Sequence, residues 1–256
     1  MVLSYAFCNS SLVPVRSEPT HRAEMVTQLL FGDRVEILEI NDNDWARIHC
    51  NWDDYIGWAK LGQLSIIDKK DYRKEARYIA DKHHNKLVFE HDEQWVPMGS
   101  DLFGIKMLHK PGKYKGKKLA IKELEATPNH LANAAMQYMN APYLWGGRSI
   151  AGIDCSGLTQ MAFKMCGMAI RRDASQQAED GELVDFLQNA RKGDLAFFDN
   201  EEGKITHVGL LLDNTSIIHA TDTSGKVVVD KIDPEGIVSK ILRKRTHKLR
   251  MIKRYC

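Results

Sequence analysis

Near residue 126 the chain changes its pattern, and that change constrains the fold more than any other feature. Before it, strand-like runs at 34–39, 45–49 and 55–59 are separated by turn signals, Phe31-Gly32-Asp33 and Asn41-Asp42-Asn43-Asp44. Short strands and close turns of this kind suit a small β-barrel. After it come two helical stretches and then four strand-like runs. Thr127 or Asn129 caps the first helix, which runs over 131–139 and is stopped by Pro142. The second starts at Cys155, carries Leu158, Met161, Ala162, Met165 and Met168 on one face, and ends at Gly167. The strands fall at 194–198, 207–212, 216–220 and 226–230. Helices followed by consecutive strands predict an α+β domain with an antiparallel sheet.

Residues 67–125 repeat the first unit weakly. Val13-Pro14-Val15, Leu30-Phe31-Gly32 and Tyr55-Ile56-Gly57 have counterparts in the same order in Val96-Pro97-Met98, Leu102-Phe103-Gly104 and Tyr114-Lys115-Gly116, at different intervals. The charged stretch 71–82, with Tyr72, Ala76 and Ile79 at helical spacing, reads as a short connecting helix or an extended linker. The expected domains are therefore 1–66, 67–125 and 126–256.

Composition removes several function classes. The chain is 43% hydrophobic and 27% charged, with a formal net charge of +2. That is ordinary globular usage with no global pull towards nucleic acid. The basic stretch from Lys240 to Arg254 reads as a solvated face and strand ends. No run reaches the ~18 apolar residues of a membrane helix. The five cysteines are widely spaced with no CxxC pair, and His83, His84 and His91 lack ligand spacing, so no metal and no cofactor is expected. Free thiols and an N-terminus unlike a signal peptide point to the cytoplasm. The alternative is a secreted or periplasmic protein whose leader has been removed. Oligomeric state is not readable.

Asp154-Cys155-Ser156-Gly157 follows a Gly-Gly turn, Tyr143-Leu144-Trp145-Gly146-Gly147, and opens the second helix. A helix N-terminus stabilises negative charge, and the thiolate is the nucleophilic form of cysteine. Cys155 is thus the candidate nucleophile for an acyl carbon, whereas Cys166 reads as a small buried hydrophobe and Cys8, Cys50 and Cys256 as inert. A cysteine nucleophile needs a base, and the base needs an orienting partner. His207 and His219 lie on successive strands. With a two-residue turn, Asp213-Asn214, Val208 faces His219 and His207 projects to the opposite side. With a three-residue loop, Asp213-Asn214-Thr215, Gly209 faces His219 and the two imidazoles lie diagonally on one face. Catalysis requires the second register. Taken singly, each histidine reads as a satisfied side chain in an apolar strand.

Taken together, Pro142-Tyr143-Leu144-Trp145-Gly146-Gly147, Asp154-Cys155-Ser156-Gly157-Leu158, Lys192-Gly193-Asp194-Leu195, Thr206-His207-Val208-Gly209 and Ile218-His219-Ala220 resemble the motif series of the NlpC/P60 cysteine peptidases. The match covers 126–256, and the N-terminal half resembles bacterial SH3 (SH3b) domains. The resemblance implies two small SH3-like β-barrels followed by an α+β papain-like domain in circularly permuted form. The layout is similar to that of the γ-D-glutamyl-L-diamino acid endopeptidases that recycle murein peptides. On that resemblance the partner is a murein peptide, L-Ala-γ-D-Glu-diamino acid, cut after D-Glu to release L-Ala-D-Glu. Cys155 would be the nucleophile, His207 the base and acid, His219 its orienting partner, and Tyr143 an oxyanion donor. Glu24, Tyr55, Asp154 and Ser156 would hold the free N-terminal ammonium of L-Ala. Plainer readings stand beside these: Glu24 a surface carboxylate, Tyr55 a packing aromatic, Asp154 a helix cap, Ser156 a first-turn residue. Arg172-Asp173-Ala174-Ser175-Gln176-Gln177 approximates a family pattern and reads as groove-lining or structural. Other amidase or acyltransferase chemistry on the same frame, or a non-catalytic wall-binding protein, are the alternative functions.

Overall fold

Strand alternation in the first half forms as the sequence implies: buried and half-exposed side chains alternate along Leu12–Arg16 and at the start of Arg34–Ile40. The computed structural model describes residues 1–256. The N-terminal strands are β1 (Ser4–Cys8), β2 (Leu12–Arg16), β3 (Met25–Leu30), β4 (Arg34–Ile40), β5 (Trp45–Cys50), β6 (Ile56–Lys60) and β7 (Leu64–Ile67). They make one antiparallel sheet in the order β3-β2-β6-β5-β4-β1-β7. It wraps a core that includes Ala6, Val13, Val15, Leu29, Val35, Ile37 and Ile48.

The stretch beyond it differs from a second barrel. A single helical turn, α1 (Lys69–Tyr72), is capped by the Asp68 carboxylate accepting from the Asp71 N–H. The rest of the charged stretch runs into strand β8 (Tyr78–Val88), which pairs with β9 (Glu93–Val96) and β10 (Lys113–Ala120). This three-stranded sheet has a small core of Ala80, Leu87, Val96 and Leu102, and Phe31 from the β3–β4 turn completes it. Arg34 also pairs with Asp101 at 3.3 Å. The shared Phe31 and the Arg34–Asp101 pair tie this sheet to the first within one compact unit, Met1–Leu124.

Glu125–Cys256 is the other unit. Helix α2 (Pro128–Met136) is capped by Thr127, whose hydroxyl accepts from the His130 N–H, with Pro128 in the first turn. Two short strands, β11 (Arg148–Ser149) and β12 (Gly152–Ile153), form the turn that leads into α3 (Cys155–Lys164). A brief α4 (Ala174–Gln177) precedes β13 (Glu182–Val184), β14 (Leu195–Asp199), β15 (Ile205–Leu211), β16 (Ser216–Thr221), β17 (Lys226–Asp233), β18 (Gly236–Ser239) and β19 (Lys244–Arg254). The sheet order is β13-β19-β14-β15-β16-β17-β18, and β18 also pairs with β19, so six strands close into a ring. The basic C-terminal stretch is therefore a sheet strand.

Ala196, Phe198, Leu211, Ile217, Ile232, Ile237 and Ile252 fill the apolar interior of that ring. Counting by twos along β15, β16 and β17 places His207, His219 and Asp230 on the same face as Leu211, Ile217 and Ile232. Closure depends on Gly236, which has φ +137° and whose position would put a Cβ 1.8 Å from the His247 carbonyl oxygen. Gly236→Ala is expected to destabilise the protein by about 2 kcal/mol or more, seen as a lower urea midpoint. An unchanged midpoint would contradict this role.

Candidate active site

The nucleophile sits in a turn built from close backbone contacts. Gly157 lies against the Gly147 carbonyl, where a Cβ would come within 2.3 Å of the oxygen. Asp154 caps α3, its Oδ1 accepting from the Gly157 N–H at 2.6 Å. The same oxygen accepts from the Ser156 hydroxyl and from Arg172 Nη1, while Oδ2 accepts from the Gly146 N–H and Arg172 Nη2, the last at 2.7 Å. Arg172 is itself buried, and its Nη1 also donates to the Ser156 hydroxyl. The carboxylate's charge is thus met inside the protein, in the bidentate geometry that favours such pairs. Gln177 adds to the scaffold: its amide donates to the Ser156 carbonyl and its side-chain oxygen accepts from Thr159.

Cys155 is the first residue of α3 and is buried. The backbone N–H groups of Ser156 and Val208 donate to its sulfur. Val208 follows His207 on β15, so the thiol lies at the strand that carries the candidate base. The hairpin has the register that puts both imidazoles on one face: Leu210 pairs with Ile218 and Leu211 with Ile217. The Leu212 N–H donates to the Ser216 carbonyl across the Asp213-Asn214-Thr215 loop. His207 Nε2 and His219 Nδ1 are 2.8 Å apart. Gly209 makes room for this approach, since a Cβ there would meet Ile217 at 2.6 Å and the His219 Cβ at 3.0 Å. Behind His219, its Nε2 lies 3.3 Å from Asp230 Oδ2. His247 from β19 stacks on His207 with centroids 4.1 Å apart, and Phe198 flanks both rings.

Burial sets the charge states. Burial pushes the Cys155 thiol up to about 12, Asp154 adds to the rise, and the Val208 N–H and Arg172 oppose it. Burial holds His207 well below its ordinary value, and the neighbouring His247 and His219 act in the same direction. His247 falls to about 4 for the same principal reason, burial. Burial thus disfavours the charged form of both Cys155 and His207. Burial raises Tyr143 too, with Cys155 and Asp154 contributing, so its phenol stays protonated and able to donate. The ring nitrogens of His207, His219 and His247 lie within 4.8 Å of one another. Both nitrogens of His219 are engaged and His207 lies flat on His247, an arrangement of linked hydrogen bonds rather than of converging lone pairs.

Known proteins match this architecture. Residues 140–246 match the model of the NlpC/P60 family, and residues 15–64 match that of the bacterial dipeptidyl-peptidase SH3 domain. The chain carries an NlpC/P60 domain. Among its relatives, the γ-D-glutamyl-L-lysine dipeptidyl-peptidase of Bacillus subtilis is 28% identical, over 79% of this chain and 74% of that protein. The corresponding Bacillus cereus protein is 25% identical over 86% and 74%, and the dipeptidyl-peptidase 6 of Lysinibacillus sphaericus 26% identical over 86% and 88%. A crystal structure of an NlpC/P60 family protein from Bacillus cereus shares the fold, with a TM-score of 0.80 and 20% identity, covering 98% of this chain and 99% of that one. The domain is of the cysteine-peptidase type.

Within the NlpC/P60 domain, Cys155, His207, His219, Tyr143, Asp154 and Ser156 gather round the start of α3 and one end of the closed sheet. In the N-terminal unit, Glu24 is exposed just ahead of β3, and Tyr55 is half-buried ahead of β6 against the barrel core. Asp230, His247 and the Arg172 pair with Asp154 were not singled out from the sequence as parts of the site. Only the Arg-x-x-x-x-Gln spacing of Arg172 and Gln177 carried a local signal.

Arg172→Met leaves a buried carboxylate without its counter-ion and is expected to cost about 3–5 kcal/mol. Arg171→Met, which removes only solvent-exposed pairs, serves as the control and is expected to keep the wild-type midpoint. Equal midpoints for both variants would contradict the pairing. The two depressed histidines also give stability a pH dependence. Unfolded, they bind protons near pH 6.5; folded, His207 does so well below that and His247 near 4. Their contribution is present above pH 6.5 and lost as pH falls towards 4. The urea midpoint is expected to drop between pH 7 and pH 5, with a shallower drop for His247→Phe. Parallel curves would contradict the assignment.

Proposed function

We propose that this chain is a cysteine endopeptidase that hydrolyses the γ-D-glutamyl–diamino acid bond of murein peptides with a free N-terminal L-Ala, releasing L-Ala-D-Glu. The observation that carries the chemistry is the His207–His219 hydrogen bond, on the strand whose Val208 N–H reaches the Cys155 sulfur. The names of the long-covering relatives support the substrate class. Since His207 Nε2 is committed to His219, Nδ1 takes the thiol proton. The sulfur attacks the γ-carbonyl carbon as that proton leaves, a coupled step suited to a neutral pair. The Tyr143 hydroxyl and N–H groups at the start of α3 receive the oxyanion, donors worth roughly 3 kcal/mol each. His207 then protonates the leaving amine, and the diamino acid departs from a thioester. His207 next takes a proton from water as the hydroxide adds to the thioester carbonyl; the thiolate leaves, takes that proton back from His207, and L-Ala-D-Glu is released.

Glu24 supplies a carboxylate for the substrate ammonium and Tyr55 a hydroxyl. Asp154 and Ser156, tied to Arg172, are the proposed substrate-binding residues beside the nucleophile. The three-stranded sheet of β8, β9 and β10 is read as a reduced second SH3-like unit. The proposed compartment is the cytoplasm, on the strength of five unpaired thiols, and peptide recycling is the proposed setting.

Incubation with L-Ala-γ-D-Glu-L-Lys and the meso-diaminopimelate tripeptide, followed by mass spectrometry, is expected to show L-Ala-D-Glu. Cys155→Ala is expected to lose at least ~1,000-fold in rate. A wild-type protein that leaves both tripeptides intact, or a fully active Cys155→Ala, would overturn the proposal. N-acetylation of the tripeptide is expected to abolish turnover, and Glu24→Gln to raise KM for the free peptide. Equal rates for acetylated and free peptide would remove the ammonium site and leave the peptidase standing.

A further inference from the structure

Asp230 lies in β17, diagonal to His219: Val228 pairs with His219 and Ile217 pairs with Asp230. Its carboxylate is divided between two donors. Oδ1 accepts from the Lys240 backbone N–H at 2.8 Å, and Oδ2 faces His219 Nε2 at 3.3 Å. Asp230 and His219 are both buried. Burial works to raise the Asp230 pKa, but the hydrogen bonds from His219 and Lys240 outweigh it and keep the group below the usual carboxylate range. A carboxylate only accepts, so the proton on His219 must sit on Nε2. Nδ1 of His219 is then a bare acceptor, and the bond of 2.8 Å to His207 requires that His207 carry its proton on Nε2. Nδ1 of His207 is left unprotonated.

We propose that Asp230 is a positioning residue that sets the tautomers of both His219 and His207, and so keeps His207 Nδ1 free to accept the Cys155 proton. The inference rests on the cysteine-peptidase reading of Cys155 and His207. It makes the site a line of four groups, with Asp230 acting two hydrogen bonds away from the base. The role is chemical and not only structural, because of the way Asp230 is shared. In Asp230→Asn the Lys240 N–H still needs an acceptor, so the amide oxygen stays with it and the amide NH2 turns to His219 Nε2. His219 is then forced to carry its proton on Nδ1 and donate to His207 Nε2. His207 must hold its own proton on Nδ1, the nitrogen that the thiol needs. An isosteric substitution should therefore do more damage than a truncation, since alanine removes the bias without reversing it. Forcing the wrong tautomer of a catalytic histidine has cost as much as ~10,000-fold in a serine protease.

The test uses the full chain. Long-range nitrogen–proton spectra of 15N-labelled wild type near neutral pH are expected to show His207 and His219 both protonated on Nε2. Asp230→Asn is expected to move both protons to Nδ1. On the tripeptide, kcat is expected to fall at least 100-fold for Asp230→Asn with KM within twofold, and to fall less for Asp230→Ala. A wild-type His219 protonated on Nδ1, unchanged tautomers in Asp230→Asn, or an asparagine variant more active than the alanine one would overturn the proposal. If Asp230→Ala does not fold, the wild-type spectra decide. Those spectra need no substrate, so a wrong tripeptide would count against the proposed function and leave the tautomers standing.

Discussion

The hydrogen bond between His207 and His219 is the contact on which the rest of the site depends. It exists because the β15–β16 loop has three residues rather than two, which fixes the strand register. A slip of one residue would send His207 to the other face of the sheet and separate base from partner. Gly209 then matters because any side chain there would push His219 away. The requirement passes outward through Asp230 to β17, and through the stacked His247 to β19. Ring closure by β18 and β19 is thus part of the catalytic architecture.

Two buried polar assemblies have different tasks. Around Asp154, a full cation meets a full anion, and the pair fixes the turn that delivers Cys155 to the helix start. Such a pair is costly to break and contributes modestly when whole. Its value here lies in holding Gly147, Ser156 and the first turn of α3 in one geometry. Around His207, the groups are mostly neutral, at the end of an apolar interior lined by Leu211, Ile217 and Ile232. Desolvation there disfavours both thiolate and imidazolium.

Much of this was legible in the sequence because it is local. Cys155, His207 and His219 stand in short motifs with turn glycines beside them, and the loop Asp213-Asn214-Thr215 is long enough to be read as an alternative register. What was missed depends on distance in the chain. Asp230 closes an apolar strand and meets His219 only through the β16–β17 pairing. His247 reads as one more residue in a basic stretch until ring closure brings it over His207. Arg172 reads as groove-lining or structural, and its pairing with Asp154 is not visible because the partner lies 18 residues away in the chain. Where the repeated tripeptides imply a second barrel, the chain forms the three-stranded sheet of β8, β9 and β10. The charged 71–82 stretch became one helical turn and the start of β8, because pairing with β9 and β10 outweighed a weak helical spacing.

The central claim is that Cys155, prepared by His207, attacks the γ-carbonyl of D-Glu in a peptide that begins with L-Ala. It is tested most directly with L-Ala-D-Glu carrying a diazomethyl ketone in place of the γ-carboxyl, a reagent that alkylates the attacking thiol irreversibly. After proteolysis and mass spectrometry, the expected result is one equivalent of label, on the peptide containing Cys155, with Cys8, Cys50, Cys166 and Cys256 untouched. Label on any other cysteine, or a fully active enzyme after exposure to the reagent, would contradict it.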